Sequence, residues 1–273
     1  MLRTIFSAAA LLAAFAAVAV AVAVAVVFAA PAAAANVTVV QADRTAFRVT
    51  MSDGRVLHSP DLVGARLTIV LNGRPRRIRI DAVERDPDAT RGDVWLHDFS
   101  VQTPDGGWEN ACLPGPDGRR QGFPVAGRSQ GGVVVPAEPG VMEITCTAGA
   151  QGKCIRFGYL PWEAEGRDQY NTCIRMVRAD YCGDGAGTTR NGMRIDLYDD
   201  HAIQRPDNAQ DQDFEAGWTA AGAVCVRHVR VKENVSLESL VAACPRLRDR
   251  VGPVCTEDTA RSLGARLFNR SKP

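Results

Sequence analysis

The sequence predicts an α+β fold, mainly antiparallel β with a few short helices, whose C-terminal half is stapled by disulfides. Three observations predict it. Apolar and polar residues alternate with a period of two through the first half, between Gly-containing turn pairs. Spacing at three- and four-residue steps is clearest over 167–181. All eight cysteines lie between Cys112 and Cys255.

Taken in order, the first 35 of the 273 residues are apolar except at Arg3, Thr4, Ser7 and Pro31. They read as a secretory signal peptide, with Arg3 at the positive end, an apolar stretch from Ile5 to Ala30, and a small-x-small cleavage site at Ala33-Ala34-Ala35. Asn36 is then the mature start. The stretch is long enough to span a bilayer, so an uncleaved membrane anchor is the alternative, and the Ala-Pro-Ala run before Asn36 favours cleavage. No cysteine precedes Cys112, which excludes a lipid anchor on a cysteine at the leader's end. Without the leader, 31 basic and 31 acidic side chains balance. A neutral chain with no basic block argues against nucleic acid as a partner, and an apolar fraction of roughly 40% argues against disorder. The basic residues are 29 Arg and 3 Lys, a bias that points to a GC-rich bacterial genome.

Residues 36–140 form the expected β-rich N-terminal region. Segments 37–40, 46–51 and 66–71 are rich in branched residues, and Asp53-Gly54 and Asn72-Gly73 are turn signals. After Asn72-Gly73, Ile78, Ile80 and Ala82 alternate with Arg77, Arg79 and Asp81, the pattern of a half-buried strand. Segment 94–101 is a further strand, and 103–140 is rich in Gly and Pro. Residues 141–273 form the expected disulfide-rich domain. Tyr170, Cys173, Ile174, Val177 and Tyr181 define a helix over 167–181 that stops at Gly183. On it, Cys173 and Cys182 lie about 180° apart and about 13 Å along the axis, so they bond to other segments rather than to each other. Strands are expected over 193–198 and 223–231, a short helix from Ser236 to before Pro245, and a last helix over 259–268.

An even cysteine count in an exported chain implies disulfides at Cys112, Cys146, Cys154, Cys173, Cys182, Cys225, Cys244 and Cys255. No Cys-x-x-Cys pair is present to favour zinc. Four bridges allow 105 connectivities, and spacing alone does not choose among them. The expected pairing is Cys112–Cys146, Cys154–Cys173, Cys182–Cys225 and Cys244–Cys255, the last closing a short loop.

The segment Arg175-Met176-Val177-Arg178-Ala179-Asp180-Tyr181-Cys182-Gly183-Asp184-Gly185 resembles the signature of the ADYC-domain family of exported bacterial proteins. Flanking pieces are similar too: Gly158-Tyr159-Leu160-Pro161-Trp162, Ile195-Asp196-Leu197-Tyr198-Asp199, Phe214-Glu215-Ala216-Gly217-Trp218 and Cys244-Pro245-Arg246-Leu247. The resemblance is strong over 140–272 and loose over 60–140. It implies export and brings no catalytic residues to carry over.

The residues themselves offer few sites. Cys182, at a helix C-terminus between Asp180 and Asp184, lacks the cationic surroundings of a reactive thiolate and reads as a disulfide cysteine. Asp180, Asp184 and Gly185 match three positions of an EF-hand loop, but position twelve is Asn191. Asp207, Asp211, Asp213 and Glu215 form an acidic run that reads as a solvated loop, with Ca²⁺ coordination the alternative. His58, His97, His201 and His228 are the histidines; His201 follows Asp199-Asp200, yet no nucleophile elbow or His-Glu-x-x-His motif accompanies any of them. Trp95, Trp108, Trp162 and Trp218 read as loop plugs rather than a sugar-binding face, the last two most clearly. The expectation is a secreted or periplasmic, non-catalytic binding or structural module, with an envelope or extracellular ligand and no cofactor or metal. The alternative is an extracytoplasmic hydrolase using His201 or His228 with an acidic partner.

Overall fold

The computed structural model describes residues 35–71, 74–207 and 210–273. Residues 1–34 of the expected leader, and the Asn72-Gly73 turn, lie outside them. Among the described residues no helix is long and apolar enough to cross a membrane.

The chain begins with a three-stranded antiparallel sheet, β1 (Val37–Asp43), β2 (Ala46–Met51) and β3 (Val56–His58). A second sheet follows, with β4 (Arg66–Leu71), β5 (Arg74–Arg85), β6 (Trp95–Gln102), β7 (Trp108–Asn110) and β8 (Gly122–Ala126). A two-stranded ribbon, β9 (Arg128–Gln130) and β10 (Val133–Val135), precedes β11 (Met142–Cys146), which returns to pair with β8. The second sheet runs β11-β8-β6-β5-β4, with β7 on β6. The period-two pattern sets its faces: Ile78 and Ile80 are buried against Phe47, Val49, Leu62 and Phe99, while Arg77 is exposed.

Two helices follow, α1 (Ala150–Arg156) and α2 (Gly166–Arg178). The third sheet contains β12 (Asp196–Asp199), β13 (Asp213–Thr219), β14 (Gly222–Val226) and, after helices α3 (Leu237–Ala243) and α4 (Glu257–Ser262), β15 (Leu267–Ser271). Its order is β12-β15-β13-β14. α3 starts where Ser236 accepts the Ser239 amide, as the cap pattern predicts. The last helix ends earlier than expected. Gly264, at φ +92°, turns the chain, and Leu267 and Phe268 become buried strand residues between β12 and β13. The expected strand over 223–231 also shortens, to Gly222–Val226; the Val226 amide then bonds Arg250 instead of a neighbour in the sheet.

Residues Ala35–Pro273 form one compact unit. Its largest core joins Leu96, Phe123 and Val125 of the second sheet to Tyr170 and Ile174 of α2 and Trp218 of the third sheet. α2 is therefore a central, almost wholly buried helix. One of its polar residues fixes a neighbour: the Asn171 side chain accepts from the Val134 amide and donates to the Val134 carbonyl, closing the β10 edge onto the helix.

All eight cysteines are bonded, as expected, and two of the four pairs differ from the expectation. Cys112–Cys146 and Cys154–Cys173 are present. In place of Cys182–Cys225 and Cys244–Cys255, the bridges are Cys182–Cys244 and Cys225–Cys255. The cause is the third sheet. Val226 bridges Val251 in parallel, which draws the chain near Cys255 alongside Cys225 on β14. Cys244 meanwhile ends α3 where it meets the segment after α2. Cys173 and Cys182 do reach separate segments, but not as two faces of one helix, because α2 stops at Arg178.

Candidate functional site

The stretch after α2 explains why the helix stops. Ala179 takes the left-handed conformation (φ 50°, ψ 44°). The Asp180 amide then donates back to the Arg175 carbonyl and the Ala179 amide to the Met176 carbonyl, a Schellman closure. A left-handed alanine costs about 1 kcal/mol relative to glycine. Its fully buried methyl offsets this by an amount of the same order, ~0.8 kcal/mol.

Each following residue has a definable task. The Asp180 carboxylate is buried; it accepts the Gly183 and Gly185 amides at 2.9 and 3.0 Å and pairs with the Arg175 guanidinium. Arg175 also donates to the Gly131 and Ala220 carbonyls, so helix, ribbon and third sheet meet at one ion pair. Asp180 is thus a loop cap opposed to arginine, at a helix end whose Cys182 is disulfide-bonded, rather than an EF-hand ligand. Tyr181 stacks on Trp218 at 5.3 Å. Cys182 carries the bridge to α3. Gly183 and Gly222 must both be glycine, because a Cβ on Gly183 would stand 2.0 Å from the Ala221 carbonyl oxygen, and one on Gly222 would stand 2.7 Å from that of Tyr181. Asp180→Asn is expected to cost about 1–3 kcal/mol, since Asn caps one amide but leaves Arg175 without its counter-charge. A urea titration checks this; an unchanged midpoint would count against the cap.

Beneath the signature lies a closed polar network. Glu215 and Arg230 are both buried, with the Arg230 fork on the two carboxylate oxygens at 3.0 Å. The other Arg230 donors go to the Met176 and Val177 carbonyls at the end of α2 and to the Thr189 hydroxyl. Tyr181 and Asn269 donate to the remaining positions on Glu215, and the Trp218 indole donates to Asn269. Burial alone pushes the Glu215 carboxyl up, but the Arg230 charge and the hydrogen bonds outweigh it and hold the group below its ordinary value. The pair is ionised and inaccessible. This corrects the acidic-loop reading for Glu215: β13 turns it inward, whereas Asp211 and Asp213 are exposed and Asp207 pairs with Arg194. Among the described residues no three His, Cys, Asp or Glu side chains gather as a metal-ligand group.

The histidines are dispersed. His58 is exposed. His201 is exposed, and its backbone amide bonds Asp199. The His228 ring faces the backbone carbonyls of Val229 and Asp213. His228 shares an open surface pocket with Asp213, Thr256 and Glu257, but its ring bonds none of their side chains. The pairing that sequence reasoning missed is His97 with Ser59, Nε2 to Oγ 2.7 Å, with Nδ1 toward the Gly122 carbonyl. It has the atoms of a base and a nucleophile, but both residues are fully buried, the Ser59 hydroxyl accepts the Phe47 amide, and the ring is stacked on Phe99. Burial lowers the His97 pKa from 6.5 to about 4. Because the folded pKa lies below the unfolded one, stability is full above pH 6.5 and falls as the pH drops toward 4, at up to ~1.4 kcal/mol per pH unit. Denaturation at several pH values checks this: His97→Gln is expected to flatten the slope in that window, and an unchanged slope would contradict it.

Of the tryptophans, Trp218 is a core plug and Trp162 packs partly buried against the same core. Trp95 and Trp108 carry guanidinium groups over their rings, from Arg85 at 4.0 Å and from Arg79 at 4.7 Å.

An open cavity of about 610 Å³ lies between α1, the end of α2 and the loop 187–195. Its walls are fixed: Cys154–Cys173 joins the two helices, the Thr188 and Thr189 amides bond the Arg178 carbonyl, and Asn234 holds the Thr188 carbonyl. Lys153, Arg178, Arg190 and Arg194 line it with Phe157, Val177, Met193 and Ile195, and no carboxylate or histidine is among the lining residues.

The chain matches the ADYC domain over residues 59–232, most of its length. It belongs to the ADYC-domain family. No curated protein and no solved structure matches it. The ADYC match runs from Ser59 to residue 232 and so includes the second sheet, α1, α2, the Ala179-Asp180-Tyr181-Cys182 string and Arg230. Within the ADYC domain that string is a structural corner, joining α2 to the third sheet.

Proposed function

We propose that this ADYC-domain protein is an exported, non-catalytic binding module of the cell envelope or surrounding medium. One observation carries the reading. The paired groups Ser59–His97, Arg175–Asp180 and Glu215–Arg230 are buried and occupied by one another, the exposed His58 and His201 stand apart from them, and the cavity with braced walls has no carboxylate or histidine in its lining. Binding needs a preformed concavity more than it needs titratable groups. Export is supported by the leader-like sequence and by four disulfides, which persist in oxidising compartments.

Fractionation with N-terminal sequencing tests the compartment: the expected product starts near Asn36 outside the cytoplasm, and a membrane-bound product starting at Met1 would refute it. A panel of chromogenic esters and phosphoesters tests the rest. No turnover is expected, and turnover abolished by His201→Asn or His228→Asn would replace the binding reading with hydrolysis.

A further inference from the structure

The cavity between α1, α2 and the loop 187–195 has a chemical bias that narrows its ligand. Its four open cations differ in how they are satisfied. Arg190 and Arg194 reach Glu233 at 3.5 Å and Asp207 at 3.0 Å in exposed pairs, which contribute little and leave both guanidinium groups accessible. Among the described residues Lys153 and Arg178 form no ion pair; Arg178 donates to the Gly185 carbonyl, and the Lys153 ammonium has no hydrogen bond, with the Asp117 charge nearby. The fifth cation of the lining, Arg230, is spent on Glu215. Burial lowers the Lys153 pKa, and the nearby charge of Asp117 opposes this only in part. A half-buried ammonium without a hydrogen bond or ion pair is unfavourable to the free protein, and an anion brought to it restores what was lost. The remaining lining gives an apolar floor, including Met193, which is 38% exposed although large and apolar.

We propose that the cavity binds an amphipathic organic anion, its acid group on Lys153 and Arg178 and its apolar body against Phe157, Val177, Met193 and Ile195. This rests on the binding-module reading above and names its ligand class. The volume lies within the range of small-molecule sites, roughly 300–1,000 Å³, and suits one acyl chain or ring system with its head group. Charge on the wall steers an anion in and rejects a cation of the same shape, so affinity falls with added salt.

Anilinonaphthalene sulfonate, itself an amphipathic anion whose fluorescence rises on binding, is the probe. One saturable site per chain is expected, with displacement by decanoate or decyl phosphate and none by decyltrimethylammonium. Whichever of the two acids displaces more strongly separates a free organic acid from a phosphate head group. Lys153→Met is expected to weaken the probe roughly tenfold or more without lowering the melting temperature, because it removes a half-buried charge that makes no hydrogen bond or ion pair in the fold. Lys153→Arg is expected to retain binding. Absence of a saturable site, equal displacement by decyltrimethylammonium, or full affinity in Lys153→Met would overturn the proposal. Adding p-nitrophenyl decanoate separates the two levels. Turnover of that ester refutes the non-catalytic reading whatever the probe does, and loss of the probe site without turnover refutes the ligand class alone.

Discussion

Arg230→Met is expected to destabilise the protein by about 3–5 kcal/mol, the cost of leaving a buried ion without its partner. The site leaves no substitute. All five guanidinium donors are committed: two to Glu215, one each to the Met176 and Val177 carbonyls, and one to Thr189. Removing the fork strands a carboxylate that shows no exposure and leaves the Met176 and Val177 carbonyls of α2 without their donors. Arg230→Lys keeps the charge but has three donors on a point ammonium rather than five on a plane, so an intermediate loss is expected. The double variant Glu215→Leu with Arg230→Met is expected to lose less than the sum of the two single variants, because a buried pair replaced as a pair no longer leaves a bare charge. Urea unfolding of the four proteins measures this. A loss below about 1 kcal/mol for Arg230→Met would mean that Glu215 is neutral or hydrated, and the network would then be open to chemistry.

How much of this was legible in the sequence varies with the range of the interaction. The β4–β5–β6 sheet was legible because alternation is a local property: Ile78 and Ile80 face the core since they are two residues apart. The centre of α2 was legible for the same reason, from Tyr170, Cys173 and Ile174. Its end was not. Tyr181 continues the helical period on paper, but the chain has left the helix at Ala179, and the stop comes from Asp180 gripping Arg175 and the amides of Gly183 and Gly185. Disulfide pairing failed where it depended on the order of the third sheet. Loop-closure entropy grows so slowly, about 0.6 kcal/mol per doubling, that spacing hardly separates Cys244–Cys255 from Cys225–Cys255, and the position of Val226 beside Val251 decides. Arg230 was missed because arginine is seldom buried, although it stands between Val229 and Val231, both buried, in an apolar run. The cavity was unreadable for a different reason. Its walls come from α1, the end of α2 and the loop 187–195, and no local pattern records that Lys153 and Arg178 face one space.

Cys182→Ser, paired with Cys244→Ser to avoid a lone thiol, is expected to cost about 2–4 kcal/mol and to lower the exported yield. The bridge spans 62 residues. Chain entropy alone assigns a loop of that length about 4 kcal/mol, the upper end of the expectation. The lower end follows from a second tether at the same corner. Arg246, two residues after Cys244, donates to the carbonyls of Tyr181, Cys182 and Ala221 at 2.8, 3.2 and 3.0 Å, and also to Ala223. It keeps the segment after α3 near the signature when the sulfurs are gone. Arg246→Met added to the cysteine pair is therefore expected to be worse than additive, because each tether restrains what the other releases. Tyr181 and Trp218 report the same event optically, since their stack lies beside the bridge. The near-ultraviolet dichroism should weaken in the cysteine pair, and weaken further in the triple variant. A stabilising share of 2–4 kcal/mol is large against the 5–15 kcal/mol of a typical domain. A melting temperature and yield equal to the parent protein would remove the structural role from Cys182 and leave its thiol, not its bridge, as the thing to explain.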